Sequence, residues 1–514
     1  MTNRKLFYPI LLLLLSTSLM SCHEKVANSN LDTSLDSFAV LCNPQYAVKS
    51  RHIRSQLDLM VRNDNDGMTP DYRARNYYRR KGDFLWIQRT GISHKADTLL
   101  NYLKTVEEMG FSTKSFRLPQ IERDLQAARS LQFDSSFFCI NKVYGRLEYN
   151  LTKAYLRYVV GQRFGYMNPT YIFNRLDTIE DVSHDSIPRP VRYRGLFDID
   201  MEHATDDFYQ MALHKIGTDS LPVFLKEIQP RNNLYMSLKQ RLQQPNLCKE
   251  LRVKIICNME RARWRLKDEP QKHSKYVIVN LPSFHLTAID HQDTLTMRIG
   301  CGTFKTKTPL LTSEIMRMDL NPKWHIPRSI ILKDIIHHVG DRAYFDQRNF
   351  YVFDRKKKEE VDLSNVTHNM LRDPNFAVVQ RGGKGNSLGR IIFRFDNNFS
   401  VYLHDTSSRD FFSRADRGVS HGCVRVEKPL DLAQFLLHEK DGRLMKKLEY
   451  SMTADSLADK SKVVGSLRVE PEVPLFITYY TLYPQPGGRW EEYCDIYGYD
   501  REIFNFLNNY IDRH

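Results

Sequence analysis

The segment Ser420-His421-Gly422-Cys423-Val424-Arg425-Val426 sets a cysteine directly after a glycine, two positions beyond a histidine and two before an arginine. A free thiol titrates near pH ~8.5, so only a few per cent is thiolate at neutral pH, and a nucleophilic cysteine needs a base or a positive charge beside it. Upstream, His404 lies in Tyr402-Leu403-His404-Asp405-Thr406. Its imidazole can take the thiol proton, and Arg425 can favour the anion. Gly422 has no Cβ, which lets backbone N–H groups approach an oxyanion formed at Cys423. These residue types predict cysteine-based acyl transfer. Packing explains most cysteines taken singly, but not this combination. Zinc is the other chemistry open to two histidines and a cysteine, yet no C-x-x-C or H-x-x-x-H pair stands near Cys423, so no metal is expected.

The H-D-T segment followed by S-H-G-C-V-R-V resembles the catalytic signature of the L,D-transpeptidases, YkuD-type cysteine enzymes that cross-link bacterial peptidoglycan. The resemblance extends, in order, through Tyr276-Val277-Ile278-Val279-Asn280-Leu281-Pro282-Ser283-Phe284, Asn321-Pro322-Lys323-Trp324-His325-Ile326-Pro327, Asn386-Ser387-Leu388-Gly389-Arg390 and Asp495-Ile496-Tyr497-Gly498-Tyr499-Asp500. These landmarks are similar to those of the larger, YcbB-like members. Leu151-Thr152-Lys153-Ala154-Tyr155 and the stretch from Leu221 to Tyr235 are similar to the scaffold region of those members.

The resemblance implies that Cys423 is the acylated nucleophile and His404 the proton donor and acceptor. It makes His421 an auxiliary neighbour, Gly422 and the Cys423 amide the oxyanion site, and Tyr402 a pocket wall. Arg425 would orient the site or meet a substrate carboxylate through its planar fork. Asp405, next to His404, points the opposite way on a strand, so a backbone carbonyl or Ser420 is expected to hold the imidazole. The implied partners are peptidoglycan tetrapeptide stems, as donor and acceptor, joined in a 3-3 cross-link with no cofactor. Water in place of the acceptor amine gives the alternative, an L,D-carboxypeptidase. A wall-binding lipoprotein without catalysis is the other alternative, and the intact His404, Cys423 and Arg425 argue against it. The small helical wall-binding module of many large relatives is missing here, since only about 40 residues separate Tyr235 from Tyr276.

Arg4 and Lys5 precede an apolar run from Ile10 to Leu15, and Leu19-Met20-Ser21-Cys22 reads as a lipobox. The run is far shorter than the ~20 residues of a membrane span, which predicts a lipoprotein signal peptide with Cys22 lipidated. The expected location is periplasmic, with the membrane reached through that anchor. The eight cysteines, at 22, 42, 139, 248, 257, 301, 423 and 494, have no tight regular spacing. An oxidising compartment permits bridges among them, but Cys423 is expected free and Cys301 structural. The formal charge of +14 suits anionic surfaces such as carboxylate-bearing stems or lipid head groups. No nucleic-acid motif is present, so nucleic acid is not an expected partner. The run Arg355-Lys356-Lys357-Lys358 is followed at once by Glu359-Glu360, the pattern of a solvated loop.

The predicted class is an α+β multidomain chain, a mainly helical N-terminal scaffold followed by a mixed, mainly β YkuD-type catalytic domain with a capping insertion. The boundaries are 1–21 for the signal peptide, 22–75 for a tether and N-terminal segment, 76–270 for the scaffold, and 271–514 for the catalytic domain, with the insertion at 330–387. Apolar residues at three- and four-residue intervals predict helices over Ala96 to Met109, Tyr149 to Phe164 and Leu234 to Leu242. Asp431 to His438 also reads as a helix. Runs rich in β-branched and aromatic residues predict strands at Tyr276 to Asn280, Leu295 to Ile299, Ile391 to Phe395, Ser400 to His404 and Leu475 to Tyr480. Asn63-Asp64-Asn65-Asp66-Gly67 lacks the spaced ligands of a calcium loop and reads as a turn. Trp324 is expected to pack, and Gly382-Gly383-Lys384-Gly385 to be a mobile hinge or loop.

Overall fold

The computed structural model describes residues 48–511, apart from 89–90, 131, 134–138, 180–189, 438–440, 455–458, 460 and 486–488. The predicted signal peptide, Cys22 and Cys42 lie outside the described residues. The chain divides into two compact units.

The first unit comprises residues through Thr98, Gln120–Lys153 and Leu213–Leu221. Helix α1 (Ser50–Asn63) buries Ile53, Leu57 and Val61 at four-residue spacing, the single apolar stripe of a helix lying on a core. Helix α2 (Thr69–Arg79) starts with Pro70 in its first turn and buries Ala74 and Tyr78. Helix α3 (Ile140–Phe164) begins nine residues ahead of the predicted Tyr149. Its Glu148 carboxylate accepts from the Tyr78 hydroxyl at 2.7 Å and from the N–H groups of Trp86 and Ile87 at 3.0 and 3.1 Å. Burial nevertheless raises the Glu148 pKa. The Asn63–Gly67 turn is neutralised from within. Lys153, 1% exposed, places its Nζ 2.7 Å from both Asp64 and Asp66 and 3.9 Å from Asp71.

The second unit comprises Leu99–Pro119, Ala154–Ala212 and everything from Pro222 onward. Thirteen strands follow position 274 up to 478: β1 (Lys275–Asn280), β2 (His285–Asp290), β3 (Asp293–Gly302), β4 (Leu310–Leu320), β5 (Trp324–His325), β6 (Phe350–Asp354), β7 (Glu359–Val361), β8 (Phe376–Gln380), β9 (Ile391–Phe395), β10 (Leu403–His404), β11 (Gly418–Ser420), β12 (Val424–Val426) and β13 (Ser466–Thr478). Eight of them close a ring in the order β9, β10, β12, β3, β2, β1, β13, β4 and back to β9. Closure removes free sheet edges. Along the strands, residues alternate between inside and outside. Val277, Leu286, Ile299, Ile315, Met318, Phe393, Leu403, Val424, Val426 and Leu475 are all at most 1% exposed. Each such aliphatic or aromatic residue contributes about 1.5–3 kcal/mol on burial. Helix α4 (Lys249–Arg263) is tied to the C-terminal helix α5 (Tyr499–Leu507) by Arg261 on Asp500 at 2.5 Å.

The insertion carries its own sheet, β5-β8-β6-β7, over a core of Ile326, Ile331, Ile335, Ile336, Phe345, Val352, Val366, Leu371 and Val378. It takes in Trp324–His325, ahead of position 330, because these residues pair with Gln380 and Val379, and Trp324 packs against the core as expected. The Arg355–Lys358 run is the exposed turn between β6 and β7. Gly382–Gly385 is a loop, as expected, held at its flanks by hydrogen bonds. The Asn386 side chain donates to the carbonyls of Pro322 and Arg381 at 3.1 and 2.9 Å, and Gln380 donates to Gly385 at 3.3 Å.

Candidate active site

Cys423 sits in the short loop between β11 and β12. Gly422 precedes it with φ of +120°, a backbone region that residues with a side chain rarely enter. A Cβ at Gly422 would find its nearest neighbour at 3.5 Å, so the requirement there is conformational and not one of space. Ser420 holds the loop shut. Its hydroxyl donates to the Cys423 carbonyl at 2.6 Å and accepts from the Gly422 N–H at 3.1 Å, while its carbonyl accepts from the Thr306 hydroxyl at 2.7 Å. The Gly422 amide, an expected oxyanion donor, is therefore already engaged. Among the described residues nothing accepts from the Cys423 N–H, which leaves that amide open as a donor.

β10 runs parallel to β12, with Leu403 opposite Val424 and His404 opposite Arg425. Residues in register share a face, as do residues two apart. Leu403 and Val424 therefore face the barrel interior, while His404, Arg425 and Cys423 share the outer side. His404 is 3% exposed. Its Nδ1 lies 2.5 Å from the Asp405 carbonyl. A carbonyl only accepts, so Nδ1 carries the proton and Nε2 of the neutral ring is left as a proton acceptor. The orienting group is thus a backbone carbonyl, one of the two options expected from the sequence, and the Ser420 hydroxyl is occupied elsewhere.

The Asp405 carboxylate has a different task. Oδ2 accepts from the Arg390 N–H at 2.8 Å, and Oδ1 pairs with Arg409 at 3.3 Å. A Cβ at Gly389, whose φ is +65°, would meet that carboxylate at 2.4 Å. Asp405 thus pins the Leu388–Arg390 turn, and the Leu388 backbone in that turn hydrogen-bonds the imidazole, which opposes the lowering of its pKa. No periodic pattern in the sequence marks this arrangement. Its one visible trace was the Asn386–Arg390 landmark.

Burial governs the electrostatics. It lowers His404 to about 4, against the pull of the Asp405 carbonyl, and Arg425 lowers it further. Burial raises the Cys423 thiol, which the Tyr402 backbone and Arg425 partly offset. Both charged forms are disfavoured, so at rest the Cys423 thiol and the His404 imidazole are each neutral. Arg425 lies 5.6 Å from the Phe411 ring centroid, and its buried Nε lacks a partner among the described residues. Tyr402 turns its ring to Arg394 at 5.3 Å. His421 is exposed at the loop tip. Cys423 is a free thiol, as are Cys139, Cys248, Cys257, Cys301 and Cys494. Cys301 is buried and accepts from the Tyr497 hydroxyl at 3.4 Å. The described residues contain no group of three or more His, Cys, Asp or Glu able to hold a metal ion, and no helix among them is long and apolar enough to cross a membrane.

Residues 274–464 match the L,D-transpeptidase catalytic domain family, YkuD, and residues 72–242 match the Scaffold domain family. A curated protein of Haemophilus influenzae, "Putative L,D-transpeptidase", is 30% identical over 305 residues, covering 58% of this chain and 59% of that relative. The match thus spans less than two thirds of the relative's length. Among solved structures, an L,D-transpeptidase from Mycobacterium smegmatis covers 40% of this chain and 58% of its own at 15% identity, with a TM-score of 0.17. That likeness is too slight to carry an argument.

Proposed function

From a chain that carries a YkuD-type L,D-transpeptidase catalytic domain together with a Scaffold domain, we propose an enzyme that forms 3-3 cross-links between peptidoglycan stems through a thioester on Cys423. The observation that carries this reading is the His404 tautomer. Nδ1 is held by the Asp405 carbonyl, so the basic Nε2 belongs to a ring on the strand paired with the one that follows Cys423.

His404 Nε2 accepts the Cys423 proton as the sulfur attacks the carbonyl of the third residue of a donor tetrapeptide. The Cys423 N–H meets the developing oxyanion. The tetrahedral intermediate collapses with cleavage of the amide bond, and His404 returns the proton to the departing terminal D-alanine. An acceptor amine then attacks the thioester while His404 takes its proton. The new amide forms, the thiol is regenerated, and no redox change or cofactor enters. Because both charged forms are disfavoured in the resting site, proton transfer accompanies attack instead of preceding it. Arg425 stands near the thiol, and its guanidinium, whose Nε has no partner among the described residues, can meet a substrate carboxylate.

The N-terminal sequence supports export, lipidation at Cys22 and a periplasmic site tethered to a membrane. The test is product analysis with purified protein and tetrapeptide muropeptides. Cross-linked dimers are expected, tripeptide alone would mean hydrolysis, and undiminished cross-linking by Cys423→Ala would overturn the proposal.

A further inference from the structure

On the outer face of the barrel, three arginines stand side by side. Arg394 on β9 is in register with Arg317 on β4, which is in register with Arg468 on β13. Like charges placed directly opposite destabilise a sheet, so such a row needs a reason. It continues towards Cys423. Arg394 lies against the Tyr402 ring, and the Tyr402 carbonyl accepts from Val424, the residue after Cys423, at 2.9 Å. The order across adjacent strands is therefore Cys423, Tyr402, Arg394, Arg317, Arg468. The last four of these line one open cavity of about 480 Å³.

The guanidiniums are only partly neutralised. Arg394 and Arg317 share a single carboxylate, that of Asp319, which Arg317 reaches at 3.1 Å. Arg468 meets Glu470 at 3.5 Å, with both side chains mostly exposed. No other protein acceptor engages the three among the described residues. Asp396, Glu470 and Glu472 also line the cavity. A long polyanion would meet these carboxylates, whereas a short peptide with its own carboxylates over the arginines need not.

We propose that Arg394, Arg317 and Arg468 form a subsite that holds the carboxylates of an acidic stem peptide leading away from Cys423. The inference rests on the reading of Cys423 as the nucleophile and adds where the rest of the peptide lies. Strands are about 4.8 Å apart, which puts Arg394 about 10 Å and Arg317 about 14 Å from Cys423 along the sheet. An extended peptide covers about 3.3–3.6 Å per residue. The two residues that precede the reacting one in a tetrapeptide therefore span about 7 Å, and the lengths of a carboxylate side chain and of the arginine side chains bridge the rest of the way to the row.

The test uses full-length Cys423→Ala protein, which binds without turnover, titrated with a stem tetrapeptide bearing free carboxylates and with its carboxamide. The acid form should bind about tenfold tighter, as expected for one exposed charge-assisted hydrogen bond. Arg317→Gln with Arg468→Gln should erase most of that difference. Equal binding of the two peptides, no binding of either, or an unaltered difference in the double variant each overturns the subsite. Arginine-dependent binding by a protein whose native Cys423 forms no thioester would overturn the reaction and leave the subsite standing.

Discussion

Acid should weaken this fold through His404, by an amount the structure sets. The unfolded imidazole titrates near 6.5 and the folded one at about 4, because burial penalises its charged form. Between those values the unfolded chain binds a proton that the folded chain does not. The associated stability is therefore fully present above pH ~6.5 and is lost as pH falls towards 4. At 1.36 kcal/mol per pH unit, the loss is on the order of 3 kcal/mol. His404 is almost fully buried, so solvent screening does not discount it. Glu148 and Glu260, both raised by burial, act with the opposite sign but are common to any pair of variants. The assay is denaturant unfolding of the wild type and His404→Gln from pH 7 to pH 4. The stability gap between them should shift by about 3 kcal/mol in favour of the variant as pH falls. Parallel profiles, with a gap that does not move, would refute a neutral buried His404.

Alkylation of Cys423 by iodoacetamide should accelerate with pH through a midpoint above that of a free thiol, since burial raises this thiol; a plateau reached below pH 7 would reveal a preformed ion pair instead. Asp405→Ala should cost about 1–3 kcal/mol by stripping the acceptor from the Arg390 N–H, and should lower kcat with KM little changed. Asp405→Asn, which keeps an acceptor oxygen, should recover most of the rate, and equal kcat in all three proteins would remove Asp405 from the site. Lys153→Met leaves Asp64 and Asp71 without their buried cation, and unfolding measurements should show a loss of about 3 kcal/mol, the low end for a broken buried pair because Arg75 still lies 3.8 Å from Asp64. A loss below about 1 kcal/mol would show the turn to be neutralised otherwise.

The chemistry was legible because it depends on residue types at short spacing. His404 and Cys423 stand out in the sequence, and strand pairing brings their segments together. The sheet was legible only in part. Ser400 to His404 read as one strand, but pairing is confined to Leu403–His404. Asn397 folds the preceding residues into a turn by accepting from Phe399 and Val401 at 3.0 and 3.1 Å. Strand β13 was read only from Leu475, since prolines argue against a strand interior. It begins at Ser466 and absorbs Pro471 in a register shift between Arg468 and Val473. β4 carries no such local signal, and the arginine row is hidden with it, because register between residues 77 and 151 positions apart leaves no local mark. The task of Asp405 was hidden for the same reason. Its neighbour in space, Gly389, is 16 residues away in sequence.

Intact-mass analysis of the protein incubated with a donor tetrapeptide, without acceptor, tests the central claim most directly. A tripeptidyl adduct localised to Cys423, formed with release of one D-alanine and absent in Cys423→Ala, is the predicted result. Cross-linking by a folded Cys423→Ala protein, or turnover in which the acyl group resides on any other residue, would contradict it.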